Sequence, residues 1–234
     1  MISAIIFDVD GTLAETEEVH RQAFNLAFEQ AGLDWRWDEA LYRQLLQVTG
    51  GKERILHFAA THTDLPRADA ERLAPQLHAT KTAIYTGYVD DGAIPLRPGI
   101  ADFIEAADRA GLRLAIATTT SMPNVTSLLT SAFGARWPAL FPVIAAGDMV
   151  PRKKPAPDIY QLALQQLGLP PEQCVAIEDS RNGVLSATGA GLRVIVVRSL
   201  YGSEDDVSGA TQVLASPTEL TLDTLARLCS SAHS

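Results

Sequence analysis

The apolar residues of this chain fall into short, nearly continuous runs separated by longer stretches of helical periodicity. Five runs read as strands: Ile2–Phe7, Leu112–Ala117, Val143–Ala145, Val175–Ile177 and Val194–Val197. They are apolar at almost every position rather than at every second one, the pattern of a parallel sheet covered on both faces. A 3.6-residue period appears between them at Gly99–Ala110, Pro123–Phe133, Asp158–Leu167 and Arg181–Ala190. Strands alternating with helices predict an α/β fold with a doubly wound parallel sheet. A last helix is expected over Pro217–Leu228, opened by a capping box of Ser216 and Glu219.

Residues 15–92 break the alternation. They carry helical periodicity at Thr16–Ala31, Asp38–Leu46, Lys52–Ala60 and Arg67–Tyr88, and no convincing strand. The expectation is an all-helical domain, 15–92, inserted into an α/β core domain made of 1–14 and 93–234. Linkers near Leu13–Thr16 and Gly92–Pro98 would tether it, and two short connections allow opening and closing over the sheet edge.

Composition narrows the function classes. A hydrophobic fraction of 47% in 234 residues is ample for a core plus a smaller inserted unit. A net charge of −9 disfavours nucleic acid and anionic membrane as partners. No apolar run approaches ~18 residues, so no membrane span is expected. The chain starts directly in a strand, without a signal-peptide pattern. Two cysteines, Cys174 and Cys229, fall in a core strand and the last helix, which makes no disulfide framework. A cytoplasmic monomer is the resulting expectation.

The first apolar run ends in Asp8-Val9-Asp10-Gly11-Thr12. In extended backbone, positions i and i+2 point the same way, so the two carboxylates share one space. Like charges there are costly unless a cation sits between them or one is protonated. A metal site, a proton-transfer site, or both follow, against the plainer reading of an Asp-Gly turn. Three more segments stand at comparable places. Leu112–Ala117 ends in Thr118-Thr119-Thr120-Ser121. Lys154-Pro155-Ala156-Pro157-Asp158 precedes a helix. Cys174–Ile177 ends in Glu178-Asp179-Ser180, followed by Asn182-Gly183 and Ala187-Thr-Gly-Ala-Gly191. The carboxyl edge of a doubly wound sheet is where such folds bind ligands.

These four segments, in this order, resemble the signature motifs of the haloacid dehalogenase (HAD) superfamily over nearly the whole chain. The resemblance implies phosphoryl transfer. Asp8 would attack phosphorus and form an aspartyl phosphate. Asp10 would act as general acid, then as general base toward water. Thr118 and the backbone N–H of Thr119 would hold phosphoryl oxygens, and Lys154, favoured over Lys153 by its Lys-Pro juncture, would neutralise nucleophile and phosphate. Mg2+ is the implied cofactor, held by Asp8, the main-chain oxygen of Asp10 and Asp179, with Glu178 as ligand or support. The inserted helices correspond to the family's substrate-selecting C1 cap.

Ala14–Glu17, Trp35-x-Trp37, Thr49–Ile55 and Ala117–Asn124 look like the CbbY-like branch of the superfamily. Members of that branch associated with the Calvin cycle dephosphorylate xylulose 1,5-bisphosphate, an inhibitor of Rubisco. The resemblance implies a small-molecule sugar phosphate substrate, met by Glu17, Gly50, Gly51, Lys52, Arg54, His78, Lys81, Thr119, Thr120, Ser121 and Asn124. The residues themselves offer a partial rationale. Lys52 and Arg54 fall in a first helical turn, where cations oppose the macrodipole and an anionic ligand would relieve the cost. His78 and Lys81 are i,i+3 neighbours on one face. Each also reads as a solvated surface residue. His20 is a further candidate on a cap helix, and Thr16 and His20 also look like residues of β-phosphoglucomutase, a sugar phosphomutase with the same fold and motifs. A phosphatase for phosphoglycolate is a further alternative. A non-catalytic binding protein is disfavoured because Asp8, Asp10 and Asp179 are all present. Val150-Pro151-Arg152-Lys153 departs from the acidic or lysine-rich surroundings of some members, and Pro151 has no evident reason.

Overall fold

The computed structural model describes residues 2–91 and 94–230, with backbone alone for Cys229 and Ser230. The Gly92 end of the second linker and the Cys229 side chain therefore lie outside the described residues.

Six strands form one sheet: β1 (Ala4–Phe7), β2 (Arg113–Ala117), β3 (Val143–Ala145), β4 (Cys174–Glu178), β5 (Arg193–Val197) and β6 (Gln212–Leu214). The order is β3-β2-β1-β4-β5-β6, and every pairing is parallel. The chain winds outward from β1 to β3, then returns to β4 on the other side of β1, so the winding reverses between β1 and β4. Phe7 pairs with Ile116 and with Ile177. That register brings Asp8, Thr118 and Glu178 out at one edge. The sixth strand is an edge strand of three residues and begins with the polar Gln212.

Four helices occupy the insertion: α1 (Glu17–Gln30), α2 (Glu39–Leu45), α3 (Gly51–His62) and α4 (Arg67–Asp90). They have their own core, built on Phe24, Phe28, Trp37, Tyr42, Leu45 and Phe58. The remaining helices belong to the sheet: α5 (Ile100–Arg109), α6 (Met122–Phe133), the short α7 (Trp137–Leu140), α8 (Asp158–Leu167), α9 (Arg181–Gly189) and α10 (Leu222–Ser230). Ile5 and Phe7 point to the face covered by α5, α6 and α10, while Ala4 and Ile6 point to the face covered by α8 and α9. Both faces being dry explains the unbroken apolar runs. The Ser216 box exists, with Glu219 accepting from the Ser216 N–H at 2.9 Å, but it closes a 3-10 turn over Pro217–Glu219. The helix proper begins later, at Leu222.

The two linkers run side by side. Ala14 bridges Leu96, and the Arg97 N–H donates to Leu13 O at 2.8 Å. The Arg97 guanidinium pairs with Glu15 and also donates to the carbonyls of Gly11 and Val197. One buried side chain thus ties the outgoing linker, the returning linker and the Asp8–Thr12 turn together.

Candidate active site

The carboxyl ends of β1, β2, β4 and β5 converge on one buried acidic cluster. Asp8, Glu178 and Asp179 each offer an oxygen within 4.8 Å of the others, and all three are buried. Two glycines make the packing possible. Gly11 has φ +83°, and a Cβ there would lie 2.1 Å from Asp179 Oδ2. A Cβ on Gly183 would lie 1.9 Å from Glu178 Oε2. The Gly of each motif is thus a space requirement imposed by a carboxylate.

Lys154 is the cation in this cluster. Its Nζ lies 2.6 Å from both Asp8 Oδ1 and Glu178 Oε1. Burial alone would lower its pKa, but Asp8 and Glu178 reverse that and hold it protonated. Lys153 goes elsewhere, to Glu53 at 3.1 Å and Asp148 at 3.4 Å. Burial pushes the Asp8 carboxyl up to about 8, with Glu178 and Asp10 adding to the rise and Lys154 opposing it. Asp179 is also raised, by burial and by the charges of Asp8 and Glu178, although Ser199 donates to its Oδ2 at 2.6 Å.

An oxygen-only set whose members repel one another fits a hard divalent cation. Asp8 and Asp179 would hold it. Glu178 is less free: Oε1 takes Lys154 and the Tyr160 hydroxyl, each at 2.6 Å, and Oε2 takes the Asp179 N–H at 3.3 Å. Those bonds suit a supporting role. The Asp10 carboxylate is not one of this cluster: its Oδ1 is engaged by Thr16 and His20.

Asp10 has different surroundings. Its Oδ1 accepts from Thr16 Oγ1 at 2.6 Å and lies 2.9 Å from His20 Nε2. Burial would raise its pKa, but His20, Thr16 and Lys81 together hold it well below the usual carboxylate range. His20 Nδ1 lies 2.5 Å from Lys81 Nζ. The Asp10 carboxylate can only accept, so His20 Nε2 is the donor to it. Burial lowers Lys81 to about 7, assisted by Arg54 and opposed by Asp10 and Glu17.

The acidic cluster opens into a cavity of about 120 Å3 between the sheet edge and the helical insertion. Asp8, Asp10, Thr119, Thr120, Asn124, Lys154 and Asp179 line it from the core. Glu17, Gly50, Gly51, Arg54, His78 and Lys81 line it from the insertion. Most of the residues expected from the sequence are therefore brought together. Thr118 is buried beneath, its Oγ1 accepting the Thr120 N–H at 3.2 Å. Asn124 donates to Thr120 Oγ1 at 2.8 Å, while its Oδ1 is buried and unpaired among the described residues.

Besides Thr118, two expected contacts are not at the cavity wall. Lys52 turns out to Asp148 at 3.1 Å, and the Ser121 hydroxyl is buried without a partner among the described residues. The charge cost at the start of α3 is met by the protein itself: Lys52 uses Asp148, and Arg54 uses the carbonyls of Leu45 and Val48 at the end of α2.

Sequence reasoning missed Ser199, Tyr201 and Gly202, from the turn after β5. That strand ends at the same sheet edge, which was the available signal. It also missed Tyr160, six residues after Lys154, and Tyr42 on α2. Sequence reasoning offers His20 as a cap-helix candidate, and reads Thr16 only through its likeness to the mutase. Their i,i+4 spacing on α1 puts both on the face toward Asp10.

His78 gives a pH prediction. Burial lowers its pKa to about 4, with Lys81, Lys52 and Lys153 adding to the fall and Asp148 opposing it. The unfolded chain binds that proton near 6.5. The stability tied to neutral His78 is therefore complete above about 6.5 and is lost as the pH falls toward 4. In His78→Gln, the Tm difference between pH 7 and pH 4.5 should shrink, corresponding to about 1–2 kcal/mol. An unchanged difference would contradict the burial of a neutral imidazole.

The family model for haloacid dehalogenase-like hydrolases matches residues 2–191. The chain is 53% identical over 224 residues to protein CbbY of Cereibacter sphaeroides, covering 94% of each. Among solved structures, it matches a CbbY mutant from Rhodobacter sphaeroides in complex with xylulose-(1,5)bisphosphate at 52% identity and TM-score 0.88, covering 96% of this chain and 99% of that one. A β-phosphoglucomutase from Clostridium difficile matches at 21% identity and TM-score 0.79, covering 99% and 98%, a likeness of fold alone. With the motif residues gathered on one sheet edge beneath a helical cap, the chain belongs to the haloacid dehalogenase-like hydrolases, in their CbbY-like branch, and is a phosphoric monoester hydrolase.

Proposed function

We propose that this protein hydrolyses a sugar bisphosphate, xylulose 1,5-bisphosphate, in a Mg2+-dependent reaction through an aspartyl phosphate. The observation that carries the reading is the two-walled cavity. Its core wall offers Lys154 beside Asp8, and its cap wall offers Arg54 and Lys81, with the neutral His78 imidazole beside them. In a chain of net charge −9, cations gathered on both walls suit a ligand with an anion at each end. The CbbY complex with xylulose-(1,5)bisphosphate supports that choice.

Asp8 acts as the nucleophile, with Lys154 offsetting the charge of attacking carboxylate and phosphate alike. Thr118 keeps the Thr119–Thr120 backbone in place for the phosphoryl oxygens. Asp10 is the proton carrier. An arriving phosphate dianion raises its pKa, so it enters the first step protonated and gives that proton to the departing sugar oxygen. Once the sugar leaves, Thr16 and His20 favour the carboxylate, which is the form that takes a proton from water. Asp8 and Asp179 would hold a divalent ion, which when bound would supply charge neutralisation at the phosphoryl group.

The Thr16–Asp10–His20 arrangement also supports a second reading, a sugar phosphomutase, which must guard its phosphoenzyme from water. One experiment separates them. With Mg2+, xylulose 1,5-bisphosphate should yield one equivalent of inorganic phosphate and a sugar monophosphate, and a chelator should reduce release at least about 100-fold. Conversion of β-glucose 1-phosphate to glucose 6-phosphate without phosphate release would establish the mutase instead.

A further inference from the structure

Three side chains from three helices meet behind the cap wall. Tyr42 of α2 is fully buried, with its ring packed against Trp37 and Tyr201. Its hydroxyl donates to Glu17 Oε2 at 2.7 Å and accepts from Arg54 Nη1 at 3.0 Å. Arg54 is pinned a second time, Nε donating to Leu45 O at 3.2 Å and Val48 O at 3.3 Å. Among the described residues, Arg54 Nη2 and Glu17 Oε1 make no hydrogen bond. Both residues line the cavity.

We propose that the Tyr42 hydroxyl is a spacer that sets substrate specificity, keeping Arg54 and Glu17 apart as two separate recognition groups. Arg54 takes the non-reacting phosphate and Glu17 accepts from a sugar hydroxyl. The proposal rests on the sugar bisphosphate reading.

A guanidinium and a carboxylate in reach of each other close into a bidentate pair, which occupies two donors and two acceptors. A neutralised pair offers little to a phosphate dianion. An interposed hydroxyl satisfies one atom on each partner and leaves the other atom of each for ligand. It can do so because it donates and accepts at once. Burial and the Glu17 charge raise the Tyr42 pKa well above its usual value, so the donated proton stays in place. The fork to Leu45 and Val48 holds the guanidinium in its orientation before any ligand arrives, which reduces the ordering cost of binding.

Tyr42→Phe removes the hydroxyl and keeps the packed ring. The readout is a ratio: kcat/KM for xylulose 1,5-bisphosphate over kcat/KM for p-nitrophenyl phosphate, which has no second phosphate. The ratio should fall about tenfold, the scale of one charge-assisted hydrogen bond, through a higher KM for the bisphosphate. A merely structural tyrosine would move both substrates in parallel, and an unmoved ratio overturns the proposal. Thermal denaturation confirms that the variant is folded. If it is not, Arg54→Lys serves instead: it keeps the charge but loses the fork, and the same fall is expected with the same overturning result. Wild-type protein without a preference for the bisphosphate overturns the functional reading itself, before any variant is compared.

Discussion

Asp8→Asn is expected to lower kcat by at least about 10^4-fold, the scale seen when a covalent nucleophile is removed. The fold should survive. The carboxylate lies in a cluster with Glu178 and Asp179, and burial and repulsion raise its pKa to about 8. A neutral amide removes that burden, while Lys154 keeps its bond to Glu178. The Tm of the metal-free variant should therefore equal or exceed that of the wild type. Steady-state phosphate release and circular dichroism melting check both halves. Turnover retained within tenfold would remove Asp8 from the role of nucleophile.

Lys154→Met should affect both activity and stability. Lys154 is 4% exposed and bridges two buried carboxylates. Taking away one partner of a buried ion pair leaves uncompensated charge and costs about 3–5 kcal/mol. Turnover should fall by about 10^3-fold or more, because the developing charge at phosphorus loses its fixed cation. The stability loss should depend on pH. Asp8, whose pKa burial raises to about 8, destabilises the fold increasingly as the pH climbs from about 4 through that value. The deficit of Lys154→Met should accordingly be larger at pH 8 than at pH 5. A deficit that is the same at both would show that Lys154 is not balancing Asp8 and Glu178.

Much of this site was legible in the sequence because it is built on strand ends. A carboxylate or threonine that follows an apolar run must emerge at the sheet edge, so Asp8, Thr118, Glu178 and Asp179 could be placed without coordinates. Lys154 could be preferred to Lys153 from its proline alone. What the sequence could not show was the direction of long side chains. Lys52 and Arg54 both belong to the first turn of α3, yet Lys52 leaves for Asp148 while Arg54 turns back to α2. Lys81 shares a helix face with His78, but its ammonium is buried against His20 rather than presented to solvent. Tyr42 reads as an ordinary apolar position of an amphipathic helix. Only tertiary packing shows that its hydroxyl lies between Glu17 and Arg54. The strand β6 begins with the polar Gln212 and lacks the unbroken apolar run that marks the equally short β3, and the 3-10 turn at Pro217 reads as the first turn of the last helix.

Xylulose 1,5-bisphosphate, rather than sugar bisphosphates at large, is the substrate assigned to the cavity. The most direct measurement is kcat/KM for phosphate release with Mg2+ from xylulose 1,5-bisphosphate, ribulose 1,5-bisphosphate and phosphoglycolate, side by side. The account predicts that xylulose 1,5-bisphosphate is preferred to each of the others by at least about 100-fold, a difference of about 2.7 kcal/mol in transition-state binding. Equal values across the three, or a preference for phosphoglycolate, would contradict it.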